Sequence, residues 1–268
     1  MEKIRISKFL DKRLLNLIFT MAHRDVMGKY NGSIFGFLWA IITPIFMLAV
    51  YTFAFGFIFK AKWAGVGDNP FDFALALFPA LLVFNYFSDC VNRAPSMITG
   101  NTAYVKKVIF PLETLPLMAC VSALFNFLVG VLVWIVAFFI LKNDFHFSVF
   151  WLLIIAIPLF IFTAGISIFL SALGVYLRDV QQFVGILTSA MIFMAPVFYS
   201  LDSIPEKFRG YIAMNPLTTF VELSRSVTFM GENLDFLAWG WISLVSVVFF
   251  ALGIRWFNFT RKGFSDVL

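Results

Sequence analysis

The chain has 268 residues, of which 61% are hydrophobic and 13% are charged. Soluble domains are about 45–50% apolar and about 25% charged, so this composition excludes a soluble protein and predicts an integral membrane protein. The net charge of +5 does not indicate nucleic acid binding, because the basic residues fall between apolar segments, where membrane orientation explains them. No stretch could form a separate soluble domain of about 100 residues, so we expect one membrane domain over 1–268 and any ATPase or glycosyltransferase domain on another chain.

Residues 1–32 have the pattern of an amphipathic helix. Apolar side chains recur at helical spacing, and lysines, arginines and other polar residues fill the opposite face. The pattern predicts a cytoplasmic interfacial helix, with its apolar stripe in the headgroup region and its cations against anionic membrane lipid. The alternative is a solvated helix that packs on a soluble partner. The stripe consists of Leu10, Leu14, Leu17, Ile18 and Met21.

Six later segments are apolar over about the 20 residues needed to cross the hydrocarbon core, which predicts an all-α protein with six transmembrane helices. Spans one to five lie within 33–200. Six spans place both ends of the chain on one side, and most of the 20 lysines and arginines then fall on that side. By the positive-inside rule both termini are predicted to be cytoplasmic, with 258–268 as a cytoplasmic tail. The predicted spans are 33–59, 71–91, 112–141, 149–176, 183–199 and 236–257.

The segment 201–235 is apolar but is interrupted by prolines and glycines. Pro205 fits the first turn of one helix, and Asn215 followed by Pro216 fits the N-cap of another. The second helix would be about 22 Å long, too short for a hydrocarbon core of about 30 Å. We therefore predict a periplasmic re-entrant helical hairpin that includes Arg225 and lines a pathway, since irregular backbone at this depth needs cover from protein or a water-filled cavity.

The sequence lacks the motifs of nucleotide binding, hydrolysis and metal binding. The dipeptide Gly28-Lys29 has His23 where a phosphate-binding loop has its first glycine, and Tyr30 where Ser or Thr would hold magnesium. There is no HExxH motif, carboxylate cluster or Ser/His/Asp arrangement, and the two cysteines have no metal-ligand spacing. We expect no catalytic residue, no metal site and no cofactor in this chain.

Aromatic residues make up 19% of the chain, with 37 phenylalanines. A phenylalanine that faces lipid is ordinary, but tyrosine and tryptophan away from the interface are less so. Aromatic faces inside a channel would offer flat surfaces with weak contacts along which sugar rings could slide. On spans one and five, the residues predicted to line such a channel are Trp39, Tyr51, Phe55, Phe193, Phe198 and Tyr199.

A polar cytoplasmic segment, 94–111, contains enough residues around Tyr104 for one short surface helix. It is either a solvated loop that its lysines orient, or a docking element that transmits force from a soluble subunit.

Short stretches along nearly the whole chain resemble, in order, the ABC-2 type permeases that export polysaccharides, most closely the O-antigen, capsule and teichoic acid exporters. Each match by itself is imprecise. Together the matches are specific to the family, but they say little about which substrate is exported. The stretches are Arg24-Asp25 through Tyr30; Gly32-Ser33-Ile34-Phe35-Gly36-Phe37-Leu38-Trp39 leading to Pro44; Lys107-Val108-Ile109-Phe110-Pro111 with Leu115-Pro116; Leu177-Arg178-Asp179-Val180; Ala195-Pro196-Val197-Phe198-Tyr199; Met214-Asn215-Pro216-Leu217-Thr218 with Arg225; and Phe264-Ser265-Asp266-Val267-Leu268.

The resemblance implies an inner-membrane homodimer with two copies of an ATP-binding cassette subunit, which binds ATP and magnesium. The dimer would move an undecaprenyl-diphosphate-linked glycan from cytoplasm to periplasm. The segment 203–230 would be like the re-entrant helices that cap the channel in this family. The residues that would couple this chain to the ATPase are Tyr104, Val105, Lys106, Lys107, Arg178 and Asp179.

The leading interpretation is a non-enzymatic permease subunit for O-antigen export. The same architecture could carry capsular polysaccharide, teichoic acid or a small amphipathic drug. Two other classes remain open: a membrane enzyme that acts on lipid-linked sugars, disfavoured by the missing catalytic cluster, and an ion-coupled flippase without an ATPase, disfavoured by the scarcity of charges in mid-span.

Overall fold

A computed structural model describes residues 11–59, 67, 69–105, 110–143 and 146–268. All regular elements in these ranges are helical. In chain order the α-helices are α1 Lys12–Tyr30, α2 Trp39–Tyr51, α3 Pro70–Arg93, α4 Ser96–Thr99, α5 Thr102–Val105, α6 Thr114–Lys142, α7 Trp151–Tyr176, α8 Val180–Met194, α9 Glu206–Ala213, α10 Pro216–Thr228, α11 Phe236–Thr260 and α12 Phe264–Val267. Short 3₁₀ turns precede α2, α7 and α9, and a π-helix, Thr52–Ile58, continues α2.

Five helical segments in the described ranges are long and apolar enough to cross a membrane. They are Gly36–Ile58, Pro70–Arg93, Thr114–Lys142, Phe147–Tyr176 and Phe236–Gly263. The predicted spans one, two, three, four and six fall on these helices, which confirms an all-helical membrane protein. The predicted fifth span falls on α8, which has 15 residues and a length of about 22 Å. Pro196 follows soon after the helix end, so the six-span topology stays a prediction.

Of the five long apolar helices, α3 is the most buried, and it packs against α6, α7, α8 and α10. Its backbone is tied to α6 because the Trp134 indole donates a 2.8 Å hydrogen bond to the carbonyl oxygen of Leu75. α7 and α11 cross closely at Gly165 and Gly253. A Cβ added at Gly253 would overlap the carbonyl oxygen of Gly165. Small residues at a crossing of this kind let two membrane helices approach closely.

The N-terminal helix buries its apolar stripe in the protein. Leu14, Ile18 and Met21 of α1 belong to the main hydrophobic core, and α1 packs along α6. The prediction that this stripe lies in the lipid headgroups is therefore wrong, and so is the alternative that a soluble partner covers it. Periodicity identifies the apolar face of a helix but not what covers that face. Leu10 lies outside the described residues, and the interfacial position of α1 stays a prediction.

The segment between α8 and α11 contains two short helices. The Asn215 side chain accepts a 3.1 Å hydrogen bond from the backbone N–H of Leu217, which confirms the predicted N-cap with Pro216 at the first helical position. Pro205 lies one residue before α9, as its N-cap, instead of in the first turn. α10 packs against α3, α7 and α11. The re-entry of this pair into a membrane stays a prediction.

The last residues of the chain are folded. α11 continues to Thr260, three residues beyond the predicted end of span six, and a 3₁₀ turn, Arg261–Gly263, leads into α12. Phe264 is 1% exposed. Residues 258–260 of the predicted cytoplasmic tail thus belong to α11, and the cytoplasmic position of 258–268 stays a prediction.

Candidate functional site

Four of the six predicted channel residues form one continuous row. The Tyr51 and Phe55 ring centroids are 6.5 Å apart, Phe55 and Phe198 are 5.7 Å apart, and Phe198 and Phe193 are 6.0 Å apart. We call Tyr51, Phe55, Phe198 and Phe193 the aromatic row. Tyr51 and Phe55 are four residues apart on consecutive helical turns, whereas Phe198 reaches Phe55 because the chain turns at Pro196 after α8. The row therefore joins residues that are about 140 positions apart in sequence but adjacent in the fold.

Two polar contacts fix the segment that brings Phe198 into place. The Tyr199 hydroxyl donates a 2.6 Å hydrogen bond to the carbonyl oxygen of Phe193. The Arg225 guanidinium, on α10, donates to the carbonyl oxygens of Pro196 and Val197 at 2.7 and 3.2 Å. Tyr199 and Arg225 thus support the aromatic row. That Tyr199 lines the channel stays a prediction, as does the place of Arg225 in a re-entrant hairpin.

Arg225 is 2% exposed, so its charge needs compensation. Its second terminal nitrogen lies 2.8 Å from Glu222 Oε1 on the same helix. Burial lowers the pKa of Arg225 and raises the pKa of Glu222, and the attraction between the two charges opposes both shifts. A guanidinium remains protonated after such a shift. The Arg225–Glu222 ion pair therefore holds the segment after α8 in place through the hydrogen bonds of Arg225.

Trp39 and Tyr51 line a cavity of about 370 Å³ between α2, α3 and α6. Asn85 and Asn126 contribute amides to the same cavity, and Tyr30 donates a 3.2 Å hydrogen bond to Asn126 Oδ1. Trp39 packs edge-on against Phe35 and is not part of the aromatic row, so Tyr51 is the residue shared by the row and the cavity. Aromatic faces with a few amides are a combination that suits sugar rings and hydroxyls.

The structure adds a polar groove that the sequence reasoning missed. Ser88 and Asn92 of α3 face Gly185, Thr188 and Ser189 of α8 around a cavity of about 500 Å³. The Thr188 hydroxyl bonds to Asn92 Oδ1 at 3.0 Å, and the Asn92 amide donates to Ser88 Oγ at 3.0 Å. The sequence does contain a pattern that indicates this groove, because these small and polar residues recur at helical spacing in two otherwise apolar helices.

A charged network joins α1 to α3 beside the first cavity. The Arg93 guanidinium donates to both carboxylate oxygens of Asp25 at 2.9 and 3.0 Å. Lys29 lies 3.9 Å from Asp25 and 3.9 Å from Asp89, and Ser122 donates to Asp25. Two cations and two carboxylates balance in charge, so the network holds the helices together and offers little attraction for an additional anion.

The predicted coupling residues are only partly described. The Tyr104 ring stacks on Phe110 at 4.4 Å, and the Tyr104 hydroxyl accepts a 3.5 Å hydrogen bond from Arg24. Arg178 and Asp179 are exposed in the turn between α7 and α8. Lys106 and Lys107 lie outside the described residues, as does the Val105 side chain.

The fold brings Arg178 close to the α4–α5 segment. Arg178 lines a cavity of about 500 Å³ together with Thr99, the last residue of α4, and Thr102, the first residue of α5. α4 packs on α7 so closely that a Cβ at Gly174 would overlap the carbonyl oxygen of Pro95. The two predicted coupling regions thus converge on one side of the bundle. Asp179 does not line this cavity.

Residues 16–229 match the family of the ABC-2 type transporter. The chain belongs to this family. This confirms the resemblance seen in the sequence, and an ABC-2 membrane domain implies a separate ATP-binding cassette partner. In the ranges that the structure describes, no group of three or more His, Cys, Asp or Glu residues could hold a metal ion.

Several curated relatives cover nearly the whole length of this ABC-2 chain. The O-antigen export system permease protein RfbA of Klebsiella pneumoniae is 29% identical over 95% of this chain and 96% of its own length. The polysialic acid transport protein KpsM of Escherichia coli is 25% identical over 89% of this chain and 91% of its own length. The capsule polysaccharide export inner-membrane protein CtrC of Neisseria meningitidis is 20% identical over 95% of both chains. These are names of transport subunits, so the chain is a permease component and not an enzyme.

Proposed function

We propose that this ABC-2 permease exports an O-antigen polysaccharide, linked to undecaprenyl diphosphate, across the inner membrane. The names of the relatives support a polysaccharide substrate, and O-antigen permeases are the most similar among those reported above. The observation that carries the proposal is the aromatic row, because weak contacts with flat rings suit a long glycan that must slide without being trapped.

The proposed assembly is a homodimer with two copies of the ATP-binding cassette subunit. That subunit would bind ATP and magnesium, and this chain would bind neither. Both termini would lie in the cytoplasm, which the distribution of lysine and arginine supports. The glycan would pass between the two protomers along α2 and α8, whose apolar side chains are largely exposed in the single chain, such as Phe193 at 67%. Trp39, Tyr51 and the polar groove would provide further weak contacts.

Capsular polysaccharide is the second candidate substrate, because KpsM and CtrC match over most of the chain. Teichoic acid would be carried by the same architecture. A membrane enzyme that acts on lipid-linked sugars would need a catalytic cluster, which the sequence lacks.

Complementation tests the proposal. The chain and its cognate ATPase are expressed in a strain that lacks its O-antigen permease and, separately, in a strain that lacks its capsule permease. We expect surface O-antigen to return in the first strain and lipid-linked glycan to stop accumulating inside the cell. Restoration of capsule alone would replace the proposed substrate with the second candidate. No restoration in either strain, with the protein present in the membrane, would contradict polysaccharide export.

A further inference from the structure

The final segment, residues 261–268, is held against the ends of α7 and α11. The Phe264 ring packs edge-on against Phe257 at 5.6 Å and lies 6.0 Å from Tyr176. The Tyr176 hydroxyl donates a 2.6 Å hydrogen bond to the carbonyl oxygen of Thr260. A Cβ at Gly263 would lie 2.6 Å from the same hydroxyl oxygen, so a larger residue here would displace the Tyr176 side chain. The segment has one defined path and is not a loose tail.

That path leads to the cavity of the coupling regions. Val267 and Leu268 line the cavity of about 500 Å³ that also contains Thr99, Thr102 and Arg178. Three stretches that are far apart in sequence therefore surround one opening: the α4–α5 segment, the α7–α8 turn and the final segment. Leu268 packs against the hydrophobic core, whereas Val267 is 49% exposed. Among the described side chains of this segment, Val267 is the exposed one that lines the cavity, so a partner in the cavity could reach it.

We propose that the final segment is a third element of the surface that binds the ATP-binding cassette subunit, and that a segment of this subunit occupies the cavity. The inference rests on the proposed function for the existence and location of this partner. An acyl chain does not suit the cavity, because hydroxyl, amide and cationic groups form much of its lining next to the turn that carries Arg178. Continuity with the predicted coupling residues favours the ATPase over any other soluble protein.

The lining of the cavity specifies the chemistry of the occupant. Arg178 is the one charged side chain among the described residues that line it, and Thr99, Thr102 and Gln181 provide hydroxyls and an amide. An ATPase segment with a carboxylate opposite Arg178 and a small apolar residue against Val267 fits this surface.

Cysteine crosslinking tests the proposal in the full complex. Cys90 and Cys120 are buried and are replaced by alanine. Val267→Cys is then compared with Lys262→Cys, since Lys262 is exposed on the same segment but does not line the cavity. Tyr104→Cys reports on the coupling segment. The reagent is a short bifunctional thiol–amine crosslinker, and the readout is a permease–ATPase adduct.

We expect an adduct from Val267→Cys and little from Lys262→Cys. Adducts of equal yield from both, or from Tyr104→Cys alone, would overturn the inference while leaving the proposed function intact. If the ATPase does not co-purify with the wild-type permease, the proposed function fails and the inference fails with it. As a second measurement, Val267→Asp should weaken ATPase co-purification about tenfold, as expected for an interface side chain, whereas Lys262→Asp should not.

Discussion

Arg225 donates a 2.7 Å hydrogen bond to the carbonyl oxygen of Pro196. Pro196 lies in the irregular segment that follows α8, so this bond joins α10 to the backbone that carries Phe198 and Tyr199. The aromatic row thus depends on a buried cation that is not part of it.

Arg225→Met should destabilise the protein by about 2 kcal/mol, because two carbonyl groups lose a charged donor and Glu222 loses its partner. The matched control is Arg209→Met, since Arg209 also donates to two carbonyl oxygens, those of Asp202 and Ile204, and makes an ion pair with Asp202 at 3.8 Å. Its side chain is 41% exposed, and an exposed ion pair is worth about 0–1 kcal/mol. Thermal unfolding in detergent measures both. Equal melting temperatures for the two variants would show that Arg225 does not stabilise this segment.

Phe198→Leu should slow surface display of the glycan by a few-fold, because the row would lose a flat face worth about 0.5–1.5 kcal/mol by analogy with aromatic pairs. Tyr51→Ala and Tyr199→Ala should also slow display while protein level and ATPase assembly stay unchanged. Phe46→Leu is the control, since Phe46 is exposed on α2 and lies outside the row.

Labelling distinguishes a channel from a lipid-facing surface. Cysteines placed at Trp39, Tyr51, Phe193 and Tyr199 should react with a water-soluble reagent during transport. Reaction with lipid-soluble reagents alone would mean that other residues line the channel.

Thr188→Val should cost about 1 kcal/mol of stability, because Asn92 loses a hydrogen-bond donor while the volume is nearly conserved. If the polar groove contacts the glycan, export should also slow. Ser246→Ala is a suitable comparison, since Ser246 is buried on α11 and bonds only to the carbonyl oxygen of Ile242 among the contacts described. Initial rates of glycan display per permease molecule distinguish slower export from a lower amount of folded permease. Normal export by Thr188→Val would show that the polar groove does not contact the glycan.

Gly253→Ala should destabilise the protein by about 1–3 kcal/mol, because the added methyl group must push α11 away from Gly165. Gly240→Ala, at an open position of the same helix, should change stability by only a few tenths of a kcal/mol or increase it. Denaturation midpoints of the two variants provide the check. A neutral Gly253→Ala would show that the two helices are farther apart than described.

The purified chain should hydrolyse no ATP, because its sequence has no phosphate-binding loop. Hydrolysis should appear when the ATP-binding cassette subunit is added. ATP hydrolysis by this chain alone, in a preparation free of contaminating ATPase, would contradict the proposal that the separate subunit hydrolyses ATP.

The membrane class, the positions of five long helices and the N-cap at Asn215 could be predicted from the sequence. These features are local: about 20 apolar residues must span a bilayer as a helix, and an asparagine before a proline satisfies the first N–H groups of a helix. The aromatic residues of spans one and five could also be selected from the sequence, since composition and helical spacing single them out.

Which helix faces pack against each other could not be predicted from the sequence and became known from the fold. Lipid is as apolar as a protein interior, so an apolar helix carries little pattern to say which side faces its neighbours. Three features follow from this: the α1 stripe packs on α6, Phe198 returns to Phe55, and the final segment reaches the cavity that contains Arg178. Each depends on contacts between residues far apart in the chain, and such contacts are fixed by packing of the whole bundle, which no local sequence pattern specifies.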